Sequence, residues 1–588
     1  MAQAAGSAAQ CDKLRYLEQV TRFPDEVQRQ LLREILAQNS GAEYLRRIGV
    51  SGDAPDADEA FRRLAPLTTY EDILPDVTRI ANGDRSPILS GKPISEFLTS
   101  SGTSGGESKL MPTIEEDMDR RCLLYSFLMP VMNQFVPGLD QGKAMYLFFV
   151  KSERSTPGGL PARPVLTSYY KSPQFTHRAH DPFTVHTSPN EAILCSDVHQ
   201  SMYAQLLCGL LQRTEVLRAG AIFASGFLRA IHFLEKNWVL LCDDIRAGTL
   251  NADIVTDPSV RRAVERVQLR ADPALATALA TEFCKPSWDG IVPRLWPNIR
   301  YIEVIVTGAM AQYVPTLNFY GGGLPLCSTM YASSESYFGL NLDPTCDPGD
   351  VLYTLLPSMC FYEFLPLRLS SSGEGGATEA DLVDLVGVEL GQEYELVVTT
   401  FAGLYRYRVG DVLRVEAFMH RSPQFRFLRR KNVLLSIDVD KTDECELHAA
   451  VSAAAGKLER FGASLLEYTS WADAAAVPAG RYVLYWELLS SAGGMAAVPA
   501  ASMEDCCIAV EESLNSVYRQ CRASGIIGPL QIRLVAGGTF DALMDEALSR
   551  GASVNQYKSP RCVSSKTQVE LLDGRVLARY VSPRCPKQ

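Results

Sequence analysis

No stretch of this 588-residue chain stays apolar for the ~20 residues that crossing a bilayer takes; one of its most apolar runs, AMYLFFV at 144–150, is far too short. The N-terminus, MAQAAGSAAQCDKLRYLEQV, lacks the basic start and apolar stretch of a secretory signal, so the expected location is the cytoplasm, with no membrane partner. Basic charge is also short: 57 Lys and Arg stand against 68 Asp and Glu, a formal charge of −11 that disfavours nonspecific binding to nucleic acid or anionic lipid. The fifteen Cys contain no CxxC pair, which points to reduced thiols rather than a disulfide frame or a zinc site. His177 and His180 are three apart, but no Cys or third His lies at ligand spacing. A P-loop is missing too: counted from Gly102, Glu107 stands where the second Gly of GxxxxGK[ST] must be.

What is present is enough chain for at least two domains, with 46% hydrophobic and 21% charged residues and with 42 Gly and 33 Pro scattered rather than repeated. Residues 12–40 read as helix, reopened at Pro24 and Asp25, with Leu31, Leu32, Ile35 and Leu36 on one buried face. Strands are expected over 145–150, 301–306, 351–356 and 394–399, and a solvated loop over 369–380. From Thr442 the pattern becomes helix, strand (481–488), helix (503–520), strand, helix. The expected division is a large domain at 1–436 and a small α+β domain at 437–588, with a hinge near 436–441.

Three segments carry chemistry. Thr99 to Lys109 reads TSSGTSGGESK, where small residues let backbone N–H groups approach phosphate oxygens and Lys109 adds positive charge; alone, it could equally be a solvated Ser/Gly turn. Tyr331-Ala332-Ser333-Ser334-Glu335 sets an aromatic that could border a purine beside a carboxylate suited to Mg²⁺, or else forms a plain turn. Gly403 to Asp411 ends in a Gly-Asp step whose carboxylate could take two ribose hydroxyls.

In this order the three segments resemble the signature of adenylate-forming enzymes. With LPARPVLTSYYKS, TMYASSESYFGLNLDP, FAGLYRYRVGDVL, VEESLNSVYRQ and GASVNQYKSPRCV, nearly the whole chain resembles the plant auxin-responsive Gretchen Hagen family of acyl-acid amido synthetases. The resemblance implies an α/β adenylate-forming, firefly-luciferase-like fold: a large N-terminal domain of β-sheets, β-barrel and helices, followed by the small α+β domain. It implies ATP and Mg²⁺ as cofactors, and an AMP- and pyrophosphate-forming carbon–nitrogen ligase. Ser100, Ser101 and Thr103 would hold phosphates, Tyr331 would border adenine, Glu335 would serve magnesium and catalysis, and Asp411 would hold ribose. Lys441 and Lys558 would approach the phosphates, Lys558 as a catalytic residue. Val165, Leu166, Met330, Ala332 and Tyr337 would line the acyl pocket. The wording of these motifs is most similar to the auxin-conjugating branch. The implied partners are therefore indole-3-acetic acid and an amino acid such as aspartate or glutamate, with no obligate protein partner. Jasmonate or a benzoate as acid, CoA in place of the amine, and a non-catalytic hormone binder are the rivals. The hinge reads SIDVDK where SIDSDK is usual, the loop lacks a proline before its lysine, and the tail ends early at CPKQ.

Overall fold

The computed structural model describes the chain except residues 1, 105–106, 152, 268, 368–380, 431–432, 438–439, 441, 478, 491–497, 551, 553, 555–556, 564 and 588. Of residues 2–9, 100–104, 107–108, 309, 312, 433 and 490 it describes the backbone alone. The expected loop at 369–380 and Lys441 thus lie outside the described residues. The chain divides into two units, 1–427 with 553–556, and 428–552 with 557–588.

The first unit opens on two helices, Ala2–Arg22 and Pro24–Gln38, the second begun by a proline that supplies the helical φ and lacks only an N–H with no intrahelical partner. Its Leu32, Ile35 and Leu36 are wholly buried, and its Gln28 side chain bonds the carbonyls of Pro357 and Cys360 and the amide of Tyr362. Strands β1 (Glu96–Ser104) and β2 (Glu107–Thr113) form a hairpin. Strand β3 (Lys143–Tyr146) starts a parallel sheet, while β4 (Arg154–Ser155) and β5 (Pro161–Pro164) extend the hairpin sheet in the order β2-β1-β5-β4.

Strands β6 (Val216–Phe223), β7 (Tyr301–Ile305) and β8 (Leu326–Cys327) complete the parallel sheet, β3-β6-β7-β8. Residues 216–221 are all buried, as expected of a parallel strand covered on both faces. Strand β3 ends at Tyr146, short of the expected 150. Beyond it the amide of Leu147 still reaches the Gly220 carbonyl, but that of Phe148 is taken by the Gln205 side chain, so the ladder stops.

The next strands are β9 (Met330–Ala332), β10 (Tyr337–Leu340), β11 (Tyr353–Leu355), β12 (Phe361–Pro366), β13 (Val383–Asp384), β14 (Glu393–Thr399), β15 (Tyr407–Met419) and β16 (Ser422–Arg430), whose last three residues already belong to the second unit. They form one eight-stranded sheet in the order β13-β12-β14-β15-β16-β11-β10-β9.

The second unit holds the short pair β17 (Val433–Leu435) and β18 (Thr442–Asp443), then β19 (Ala463–Asp473), β20 (Arg481–Ser490), β21 (Gln531–Val535) and β22 (Val576–Val581) in that spatial order. On β20, Tyr482, Leu484 and Trp486 enter one apolar cluster and Val483 and Tyr485 another. Both faces are therefore covered, which is why RYVLYWEL reads as an unbroken apolar run. The expected 503–520 helix is broken at Leu514: Asn515 starts a new helix, Ser516–Ala523, with its side chain capping the Tyr518 amide. All fifteen cysteines are free thiols. Among the described residues no helix is long and apolar enough to cross a membrane.

Candidate active site

The Ser/Gly segment forms the end of β1 and the start of β2, with Thr103 opposite Ser108 and a register break between Thr99 and Thr103. The side chains of Ser100, Ser101 and Thr103 lie outside the described residues. The strand that carries them is well anchored. Parallel pairing sets Thr99 against Pro164, the residue before Val165, and the buried Glu96 carboxylate accepts from Arg163 and from the Ser168 hydroxyl. One carboxylate thus ties β1 to β5 and to the helix Val165–Lys171. On the other strand the Leu110 amide bonds the Tyr70 hydroxyl at 2.9 Å, and the Lys109 ammonium sits 5.1 Å from the centre of the same ring.

YASSE forms the turn between β9 and β10, where Ala332 faces Tyr337 and the Ser333 amide bonds the Ser336 carbonyl. The Glu335 Oε2 atom accepts from the Ser333 hydroxyl at 2.7 Å and the Ser334 hydroxyl at 3.0 Å. This half-buried carboxylate lines a cleft with Thr113, Arg120, Arg121, Tyr337 and Phe401. Arg120 is bonded to Asp117 and lies over the Phe401 ring at 3.6 Å. Arg121 is 7% exposed and donates from Nη2 to Thr113 Oγ1 at 2.8 Å. Sequence reasoning missed Arg121, because one arginine in the run EEDMDRR carries no motif. Glu335 fits a magnesium site, being a carboxylate bonded by hydroxyls, whereas Asp117 in the same cleft is bonded by Arg120.

Asp411 lies within a bulge of β15. Glu395 faces Val412 and Val397 faces Arg408, so three residues stand against Leu396 alone. Gly410 takes φ +82°, a value that suits glycine, and the burial alternation breaks so that 411–413 are all buried. The bulge brings Asp411 Oδ2 within 2.7 Å of the Tyr331 hydroxyl, joining two of the three segments. Just before it, Arg406 makes a two-point ion pair with Glu363 at 2.9 and 2.8 Å, with both residues under 5% exposed.

Of the expected acyl wall, Val165, Met330 and Tyr337 are buried in the main apolar cluster and Ala332 packs against it. Leu166 instead enters a separate cluster with Val150, Tyr170, Phe175 and Ile193. The two clusters meet through stacked rings: Tyr337 touches Tyr125 edge-on with hydroxyls 3.1 Å apart, and Tyr125 stacks on Tyr169 at 4.5 Å. Lys558 belongs to the second unit. It is exposed, two residues before a stretch anchored to β19 through Thr469, Ser470, Pro560 and Arg561.

The chain matches the GH3 family N-terminal domain over residues 13–326, the GH3 family central domain over 353–430 and the GH3 family C-terminal domain over 445–567. It is 68% identical to "Probable indole-3-acetic acid-amido synthetase GH3.4" of Oryza sativa subsp. japonica, across 99% of this chain and 94% of that protein. It is 60% identical to "Indole-3-acetic acid-amido synthetase GH3.5" of Arabidopsis thaliana, across 98% and 94%. The solved "GH3.15 acyl acid amido synthetase" superposes with a TM-score of 0.89 at 43% identity, covering 98% of each chain. A 2-hydroxyisobutyryl-CoA ligase at 12% identity, covering 94% of this chain and 91% of its own, has a TM-score of 0.51 and shows the fold alone.

Proposed function

Because the chain belongs to the GH3 family and is an amide-forming ligase, we propose that it joins indole-3-acetic acid to an amino acid, aspartate or glutamate, through an acyl-adenylate, lowering free auxin. The observation that carries this reading is the β9–β10 hairpin, whose turn carboxylate Glu335 and ring Tyr337 share one cleft with Arg121. The names of the relatives at 60–68% identity support the choice of acid.

ATP binds with its ribose on Asp411, its base beside Tyr331 and its phosphates along Ser100, Ser101 and Thr103. Arg121, a buried guanidinium with one hydroxyl partner, takes the substrate carboxylate, and the Val165, Leu166, Met330, Ala332 and Tyr337 wall covers the ring. A carboxylate oxygen then attacks the α-phosphorus; the bond to the β-phosphate breaks and pyrophosphate leaves. Lys441 and Lys558 offset the charge on the departing group. Mg²⁺, held by Glu335 and phosphate oxygens, would supply further neutralisation of that charge. The small domain, 437–588, turns between half-reactions. A neutral amine attacks the acyl carbon, the bond to AMP breaks, and the nitrogen releases a proton to water.

Mass spectrometry of a reaction with MgATP, indole-3-acetic acid and mixed amino acids, with AMP followed alongside, tests this. An ATP-dependent indole-acetyl amide is expected, and its mass names the amine. AMP release with jasmonate or a benzoate but not with the indole acid would overturn the substrate. A thioester formed with CoA in place of the amide would overturn the second step.

A further inference from the structure

The Tyr331 hydroxyl is not needed for an aromatic ring to border a base, yet it is buried and committed. The residue is 7% exposed, and its oxygen donates to Asp411 Oδ2 at 2.7 Å, a charge-assisted bond with its acceptor 5% exposed. The ring is held from several sides. Phe338 lies 4.9 Å away, Tyr353 5.6 Å at an interplanar angle of 30°, and Phe427 5.9 Å. Tyr353 is itself fixed: 1% exposed, it shares hydroxyl bonds with Thr307 at 3.1 Å and Ser328 at 2.9 Å. The Asp411 backbone, by contrast, sits in a bulge beside Gly410, where ladder pairing is interrupted.

We propose that Tyr331 is a positioning residue for the ribose contact: its hydroxyl, braced through Tyr353, orients the Asp411 carboxylate toward the nucleotide. This rests on the assignment of ribose to Asp411 made above. A rigid donor on one oxygen of a buried carboxylate fixes, before ATP arrives, which way the other oxygen faces. The consequence is a preference for nucleotides that carry both ribose hydroxyls, set partly by a residue that need not touch the ribose.

Tyr331→Phe keeps the ring and deletes the bond. The measurement is kcat/KM for ATP against 2′-deoxy- and 3′-deoxy-ATP, with KM for the acyl acid as the fold control. Losing a hydrogen bond to a charged group predicts about a tenfold fall in kcat/KM for ATP. A smaller fall is expected for the deoxy nucleotide, so the preference shrinks, while KM for the acid stays put. Adding Tyr331→Phe to Asp411→Asn should cost much less than it costs alone. If Tyr331→Phe does not fold, Tyr353→Phe, one step removed, should shrink the same preference by less. A wild type that discriminates and variants that discriminate equally well overturn the inference alone. A wild type that uses all three nucleotides equally overturns the ribose assignment and this inference with it.

Discussion

Glu363 and Glu335 sit in the same unit and are held by opposite means. Glu363 is 2% exposed, and both its oxygens are bonded by Arg406, 43 positions further along the chain. Glu335 is half-buried and bonded by Ser333 and Ser334, its own neighbours in a turn. The first carboxylate is placed by the core and cannot move without unfolding something. The second is placed locally and can turn to meet a ligand without disturbing a strand. The segment carrying Asp411 belongs to the first kind and the YASSE turn to the second, which separates fixed recognition from adaptable chemistry.

The sharpest way to break this contrast is Arg406→Met. It leaves the Glu363 carboxylate buried without the guanidinium that bonds both its oxygens, and a loss of about 3–5 kcal/mol in unfolding free energy is expected by urea denaturation, with much of it recovered when Glu363→Leu is added. Activity measured well below the transition should fall less than stability does. The opposite pattern is expected of Ser333→Ala with Ser334→Ala. Stability should change by about 1 kcal/mol or less, while kcat drops on the order of tenfold because Glu335 loses its orientation. Equal stability losses in the two experiments would erase the distinction.

Glu303 offers a third, gentler test. It lies on β7 with the Thr329 hydroxyl on Oε1 at 3.0 Å, and burial pushes its pKa from 4.5 up to about 7. A raised carboxyl pKa means the folded state holds its proton longer than the unfolded chain. This group therefore costs stability increasingly as pH rises from about 4.5 to about 7. Glu303→Gln should match wild type at the acid end of that window and be more stable above it, as read from urea midpoints at each pH.

The sequence was informative where a local pattern is also the structural cause. The apolar runs at 301–306 and 394–399 are strands because such residues suit a covered sheet, and the hairpin bearing Glu335 follows from a short polar turn between β-rich runs. Strand β19 went unread because ASLLEYTSWAD mixes buried and exposed residues without clean alternation and directly follows a helical stretch. The partners Arg406–Glu363 and Tyr331–Asp411 were invisible for another reason: each is a pairing across 43 or 80 positions, which local spacing does not encode. Nor does composition distinguish a buried arginine such as Arg121 from its solvated neighbours.

The staple around 399–408 also sets a clock for synthesis. Phe401 accepts from Asn39, Tyr405 accepts from the Thr68 hydroxyl and donates to Leu89, Arg406 bonds the Ala65 carbonyl, and an added Cβ at Gly403 would lie 2.2 Å from the Leu89 oxygen. The first ninety residues close onto a segment made more than three hundred residues later, with a separation of 337 for Thr68 and Tyr405. At about 5–20 residues per second, Thr68 waits roughly 17–67 s for Tyr405 to be made. A ribosome stalled short of residue 400 would therefore hold the Asn39 amide, the Thr68 hydroxyl and the Ala65 and Leu89 carbonyls without these late partners.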